Sequence, residues 1–343
     1  MFTYLKNHIC CLLFFLLLPG VSMAQVTVGF LVPASGLGDQ SFNDSTYAGL
    51  VKARSEFGFT LVIGQCETGP LSRKYELENM LDDGVDIIVA NGWEFEDLIS
   101  EYAPENPEKI FILNDVAVSA FKNVVSSVFS QHEGAFLAGT LAALVTKTEK
   151  IAFVGGMDVP VIASFRRGFV EGVQYVNKDI EVTHRYLDGG GEMGVGFNNP
   201  KFGYRVAHEL YDTGVDIIFS VAGLSGNGVI RAAAERKRYV IGVDSDQDHM
   251  AKGYVLTSVM KRLDMAVYTV LSEILAGSVV PGIHCFDLEN GGVSLTPMLF
   301  SRGVVNDEVR YALQTVKEKI ITQKIIVTDT LKVPSTFETS TNK

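Results

Sequence analysis

The chain has 343 residues, too many for one compact core and enough for two domains. Apolar residues make up 47% and charged residues 20%, which excludes a disordered chain. The formal net charge is −11, the wrong sign for a nucleic-acid binder.

Residues 1–24 stand apart. Lys6 is their only charge, "CCLLFFLLL" follows, and small residues close the stretch in "SMA" at Ala24. This pattern is that of a secretory signal cut near Gln25, and the apolar run is too short to span a membrane. A lipid anchor wants a Cys at the end of such a run. Cys10 and Cys11 stand at its start, so there is no clear lipobox. The expected location is periplasmic, with membrane association left open. Without Lys6 the mature part holds 28 basic against 40 acidic side chains, a net of −12. Cys66 and Cys285 remain, as a pair or, the reading preferred here, as two plain buried thiols.

From Val26 onward, short β-branched runs alternate with helical stretches. Strands are expected at 26–32, 59–63, 85–90 and 109–113, with helices at 43–57 and 71–82. After Asn123 the grammar restarts: strands at 150–154, 215–221 and 238–243, helices at 161–176 and 225–237. Unbroken apolar strands imply parallel sheets covered on both faces. "GVDII" opens a strand at 84–88 and again at 214–218, each time after a helix, "NMLDDG" or "ELYDTG". Gly84 and Gly214 are expected as helix C-cap glycines. The repeat marks the same strand in two doubly wound lobes. Ligands of open parallel sheets sit beyond the carboxyl ends of the strands. Trp93 and Gly223 follow the two repeated strands, so both are expected on a cleft between the lobes.

Three strand-end loops carry polar residues. "PASGLGDQSFND" (33–44) holds Gly36 and Gly38, but Ser41 stands near the third glycine of a dinucleotide fingerprint and no ribose-binding acid is clearly placed. "AGLSGNG" (222–228) has glycines ahead of a helix, suited to an anion or to close backbone approach. "GVDSDQD" (242–248) is acidic but lacks the spacing of a calcium loop. There is no Gly-x-Ser-x-Gly, no Cys/His set and no histidine pair at metal-ligand spacing. His132 reads as lining a helix start. Neither a catalytic residue nor a metal ligand is expected.

Together "DQSFND" (39–44), "SQHEGAFLAG" (130–139), "FVGGMDVPVIASFRRGFVEGV" (153–173), "VAGLSGNGV" (221–229), "IGVDSDQ" (241–247) and "LTSVMKR" (256–262) resemble the basic membrane protein family over almost the whole mature chain. That resemblance implies an α/β, type I periplasmic-binding-protein fold: two doubly wound parallel-sheet lobes joined by hinge crossovers, expected near Ser126, Ser258 and Leu295. The lobes would be 25–126 with 259–295, and 127–258 with 296–335, leaving 336–343 as a flexible tail. It also implies a solute receptor that serves the permease and ATPase subunits of an ABC importer and uses no cofactor of its own. Known members bind purine nucleosides. By motif, Phe42 resembles the ring-stacking Phe and Asn43 a base-binding neighbour, with Asp39 and Gln40 beside them. Asp115 resembles the base-edge acid, Asp244 and Lys261 the sugar-hydroxyl pair, Gly223 a backbone contact and Phe219 a second stacking ring.

One departure stands out: Val32-Pro33 replaces the Thr-Asp that usually precedes the glycines. With the only Trp at a cleft-facing strand end, this suits a wider, flatter ring with a flexible polyol, and the chain resembles a riboflavin-binding branch of the family. A purine nucleoside is the alternative ligand. Each residue also has a structural reading: Phe42 as a hydrophobic staple, Trp93 as packing between lobes, Asp115 as a turn cap, Asp244–Lys261 as a hinge ion pair and Phe219 as core. Two other classes compete. A cytoplasmic regulator would need a DNA-binding helix pair, which is missing from the sequence. A nucleoside-processing enzyme would need a general base, for which Asp115 and Asp244 are the candidates.

Overall fold

The structure, a computed structural model, describes residues 25–188 and 195–332. The expected signal segment 1–24 and the tail 336–343 lie outside the described residues.

In chain order, β1 (Thr27–Val32), α1 (Phe42–Phe57), β2 (Thr60–Gln65), α2 (Pro70–Asp82), β3 (Ile87–Asn91), α3 (Glu96–Tyr102), β4 (Ile110–Asn114) and β5 (Val124–Phe129) build the first lobe. Then α4 (Gln131–Val145), β6 (Lys150–Gly155), α5 (Pro160–Val176), β7 (Glu181–Tyr186), α6 (Pro200–Asp212), β8 (Ile217–Val221), α7 (Leu224–Arg236), β9 (Tyr239–Asp244) and β10 (Val255–Lys261) build the second. The chain returns to the first lobe with α8 (Leu263–Leu275) and β11 (Gly282–Phe286). It ends in the second with β12 (Val293–Leu295) and α9 (Asp307–Ile321). The sheet orders are β11-β5-β4-β3-β1-β2 and β12-β10-β9-β8-β6-β7. Among the described residues, all pairings are parallel except β10 with β12.

The two "GVDII" strands, β3 and β8, hold the same place in their sheets. Gly84 and Gly214 have φ of +75° and +96°, the left-handed turn that ends each preceding helix. The repeated aspartate also does the same work twice. Asp86 accepts from the Thr27 N–H at the start of β1, and Asp216 accepts from Thr146 and from the Lys147 and Thr148 N–H groups just ahead of β6.

The crossings fall later than the sequence suggested at two points and spread over a linker at the third. β5 keeps pairing with β11 as far as Phe129, and β10 pairs with β12 as far as Lys261. The chain therefore changes lobe after Phe129, after Lys261 and between Phe286 and Val293, not at Ser126, Ser258 and Leu295. Residues 127–129 stay with the first sheet, and 259–261 and 293–295 with the second.

The second lobe is close-packed through glycine. A Cβ on Gly139 would lie 2.0 Å from the Phe169 carbonyl oxygen, and one on Gly172 would lie 2.0 Å from that of Phe136. α4 and α5 thus touch backbone to backbone, which holds "HEGAFLAG" and "RRGFVEG" in register. Cys66 follows β2 and Cys285 lies on β11, at opposite edges of one six-stranded sheet. Five strand spacings of about 4.8 Å separate those edges, far beyond disulfide reach. The two do not form a disulfide; Cys66 is buried and Cys285 half-buried.

Candidate functional site

An open cleft, about 790 Å³ of empty space with its mouth to solvent included, lies between the lobes at the carboxyl ends of their strands. The first lobe supplies Pro33, Ala34 and Ser35 after β1, Phe42 at the start of α1, Asn91 at the end of β3 with Gly92, Trp93 and Glu94 after it, and Asp115 after β4. The second supplies Val161, Ile162 and Phe165 of α5, Phe197, Val221, Gly223, Asp244 at the end of β9, and Lys261 at the end of β10. Of the expected residues, Asp39, Phe42, Trp93, Asp115, Gly223, Asp244 and Lys261 line this space.

Gln40, Asn43 and Phe219 do not reach it. Phe219 is fully buried among Phe153, Phe165 and Phe169, with ring centroids 5.1–6.2 Å away. It lies one pleat below Val221 on the same strand face, beneath α5, so it packs under the wall and does not form it. The ring facing the cavity is Phe165, reached from the helix. Asn43 lies behind the wall. Its amide donates to Ser35 Oγ and to the Gly36 carbonyl, both at 2.9 Å, and Asn91 and Asn114 extend the chain across the strand ends. Gln40 points to the outside of the cleft, toward His249.

Asp39 holds α1 in place. Its carboxylate accepts from the N–H groups of Ser41, Asn43 and Asp44 at 2.9–3.1 Å, closing the orphan donors of the helix start that presents Phe42. Burial outweighs these bonds and pushes its carboxyl up to about 6.

The polar centre is Lys261, 2% exposed. Its Nζ lies 2.5 Å from Asp115 Oδ1 and 5.3–5.6 Å from the ring centres of Phe42, Phe129 and Phe165. Lys261 ends a second-lobe strand and Asp115 follows a first-lobe strand, so the pair bridges the cleft. The sequence comparison had paired Lys261 with Asp244; the shortest contact is with Asp115. Burial raises the Asp115 carboxyl against the pull of Lys261. Burial also pushes Asp244 up to about 6, again opposed by Lys261 and by a 2.6 Å bond from Ser41 Oγ. Both Asp115 and Asp244 have φ near +70°, a conformation that ordinary residues adopt only when the surroundings impose it.

The aromatic walls were only partly legible. Trp93 follows Gly92, whose φ of +98° turns the chain out of β3 into a short 3-10 turn. Phe197 enters the cavity against Gly156, where a Cβ would lie 2.3 Å from its ring, and beside Gly223. These glycines make room for an aromatic ring, the close-approach alternative left open for the 222–228 loop. The signal for Phe197 was Gly156, the second glycine of the pair at the end of β6. Phe165 stood inside a motif already singled out, without a role.

The arrangement is a slot between aromatic rings with an acceptor-rich edge. Asp39, Glu94, Asp115 and Asp244 line it with one lysine among the described lining residues, so the slot is acidic, although Glu94 is paired with Arg73 and Asp39 is taken up by the start of α1. Such a site suits a flat, uncharged heterocycle with N–H and O–H donors, and its charge disfavours a phosphorylated ligand.

A family model described as ABC transporter substrate-binding protein, PnrA-like (Bmp), matches residues 25–336. Basic membrane protein A2 of Borrelia garinii subsp. bavariensis is 33% identical over 296 residues, 84% of each chain. The ABC transporter nucleoside-binding protein BmpA of Lactococcus lactis subsp. cremoris is 30% identical over 334 residues, 90% of each. Among solved structures, an ABC transporter solute-binding protein from Aeropyrum pernix superposes with a TM-score of 0.78 at 26% identity, covering 92% of this chain and 96% of that one.

Proposed function

The chain belongs to the PnrA-like Bmp family of ABC transporter substrate-binding proteins, and we propose that the ligand it captures is riboflavin. As a member of that family it is the substrate-binding component of an ABC transport system; such components work outside the cytoplasm and hand a small molecule to membrane subunits. Export by the 1–24 leader is part of the proposal.

The observation that carries the ligand reading is the cavity wall at the ends of β1 and β3. Pro33 lines it in place of the Asp that the family resemblance leads one to expect for holding a ribose, and Trp93 and Phe42 line the same cavity, across which stand Phe165 and Phe197. A three-ring isoalloxazine covers more of these faces than a purine, and aromatic contact strengthens with buried area, about 25 cal/mol per Å² with about 1 kcal/mol more for each good stack. Its imide edge offers an N–H to a carboxylate such as Asp115, while the ribityl hydroxyls donate to Asp244 and accept from Lys261. Buried polar groups select the ligand, because each one left unpaired costs about 1–3 kcal/mol. No bond is made or broken; recognition and closure are the whole mechanism.

A purine nucleoside is the second reading, favoured by the nucleoside-binding name of the Lactococcus relative. The test is optical. Protein purified from flavin-containing cells should be yellow, and riboflavin titrated into the ligand-stripped protein should lose its fluorescence by stacking. A colourless protein that leaves riboflavin fluorescence unchanged contradicts the flavin reading.

A further inference from the structure

Outside the ligand cavity, the two lobes meet again. The turn 245–249, which follows β9 in the second lobe, grips Gln40 and Ser41, which precede α1 in the first. Ser245 Oγ donates to the Ser41 carbonyl at 2.9 Å, and the Gln247 amide donates to the Gln40 carbonyl at 3.1 Å. His249 Nε2 lies 3.1 Å from Gln40 Oε1. None of these five residues lines the ligand cavity; Gln40, Ser245 and His249 face a separate groove on its outer side.

Both halves are set before they meet. Gln247 folds back so that its Oε1 accepts the Val243 N–H at 3.0 Å, and its own N–H donates to Ser258 Oγ on β10. Gly242 makes this possible, since a Cβ there would stand 2.5 Å from Gln247 Oε1. Asp248 ties the turn to Ser258 and to Thr296 beside β12. On the facing side, Gln40 is held at φ +52° by the bond from its N–H to Asp44, and the Ser41 N–H is held by Asp39. A contact between pre-formed surfaces spends little ordering entropy when it closes.

We infer that the 245–249 turn is a latch on Gln40 and Ser41 that holds the lobes together without touching the ligand, so that Ser245 and His249 set residence time, while Ser41 alone also reaches the cavity wall through Asp244. Ser245 and His249 are positioning residues acting through the closed geometry. The inference rests on the binding-protein reading but not on which ligand is bound.

The test is the double variant Ser245→Ala, His249→Ala, with Ser245→Thr as the conservative control and a melting curve to verify the fold. One hydrogen bond is worth roughly two- to tenfold in an equilibrium. Dissociation of riboflavin in stopped flow should therefore become about tenfold faster, with the association rate within about twofold of wild type. Ser245→Thr, which keeps the hydroxyl, should keep the slow rate. Ligand-free small-angle scattering should show the double variant more expanded than wild type. Inosine serves as the kinetic probe if riboflavin does not bind, and the ligand-free scattering needs neither, so a wrong ligand and a wrong latch fail separately. An unchanged dissociation rate together with an unchanged radius of gyration overturns the latch.

Discussion

Replacing Lys261 by Met keeps the buried stem and removes the cation that faces Asp115 and Asp244. In the closed cleft Asp115 is then left without the partner that sits 2.5 Å away. Breaking a buried ion pair by deleting one partner costs about 3–5 kcal/mol. Because Lys261 and Asp115 belong to different lobes, opening the cleft lets water reach the stranded carboxylate. The loss therefore falls on closure and not on the fold. At about 1.4 kcal/mol per tenfold, riboflavin affinity at neutral pH should drop between about a hundredfold and several thousandfold. The melting temperature of the ligand-free protein should move little. The deficit should also shrink with acid. Asp244 is already up at about 6 with Lys261 present, burial outweighing the lysine's pull, and losing the lysine pushes it and Asp115 further up, so acid neutralises both carboxylates more readily in the variant. Calorimetry of wild type and Lys261→Met at pH 7.5 and at about pH 5 reads this directly. Wild-type affinity in the variant at pH 7.5, or a deficit just as large at low pH, refutes the reasoning.

Three further outcomes follow from the packing and the buried acids. Gly172→Ala puts a methyl against the Phe136 carbonyl and should lower stability by about 1–3 kcal/mol in denaturant unfolding, with α4 and α5 forced apart. Phe219→Leu should lower the melting temperature while leaving riboflavin affinity within about twofold, whereas Phe165→Leu should weaken binding; the reverse pattern would restore Phe219 to the ligand. Burial pushes Asp39, Asp244 and Asp248 up to about 6 and Glu133 up to about 7. Unfolded carboxyls titrate near 4, so the folded chain binds more protons between about pH 4 and pH 7, and stability falls as pH rises through that window. Buried His132, whose pKa burial lowers, opposes this at the acid end. The melting temperature should be higher near pH 5.5 than at pH 8, and a melting temperature that only falls with acidification contradicts it.

The architecture was legible because its signals are local. Gly84 and Gly214 end helices wherever they stand, and the β-branched runs after them have no other use than buried parallel strands. The cleft followed from topology, since Trp93, Asp115 and Gly223 come just after strand ends and Asp244 closes one. What the letters did not show depends on pairing and on side-chain direction. The crossings moved because β5 and β10 are lengthened by β11 and β12, short segments with no marked periodicity. Phe219 was misplaced because a strand residue two positions from the end lies under the neighbouring helix, while Phe165, a helical residue, turns toward the cleft. Gln40 was counted with the ligand because it adjoins Phe42 in the sequence, yet the left-handed turn at Gln40 sends it to the outer side.

Calorimetric ranking of riboflavin against inosine, guanosine and adenosine on the ligand-stripped protein tests the central claim most directly. Riboflavin should bind most tightly, with a negative heat-capacity change from ring burial. Tight binding of inosine with no heat from riboflavin would contradict it, and would mean that Pro33 and Trp93 shape the cleft for a nucleoside.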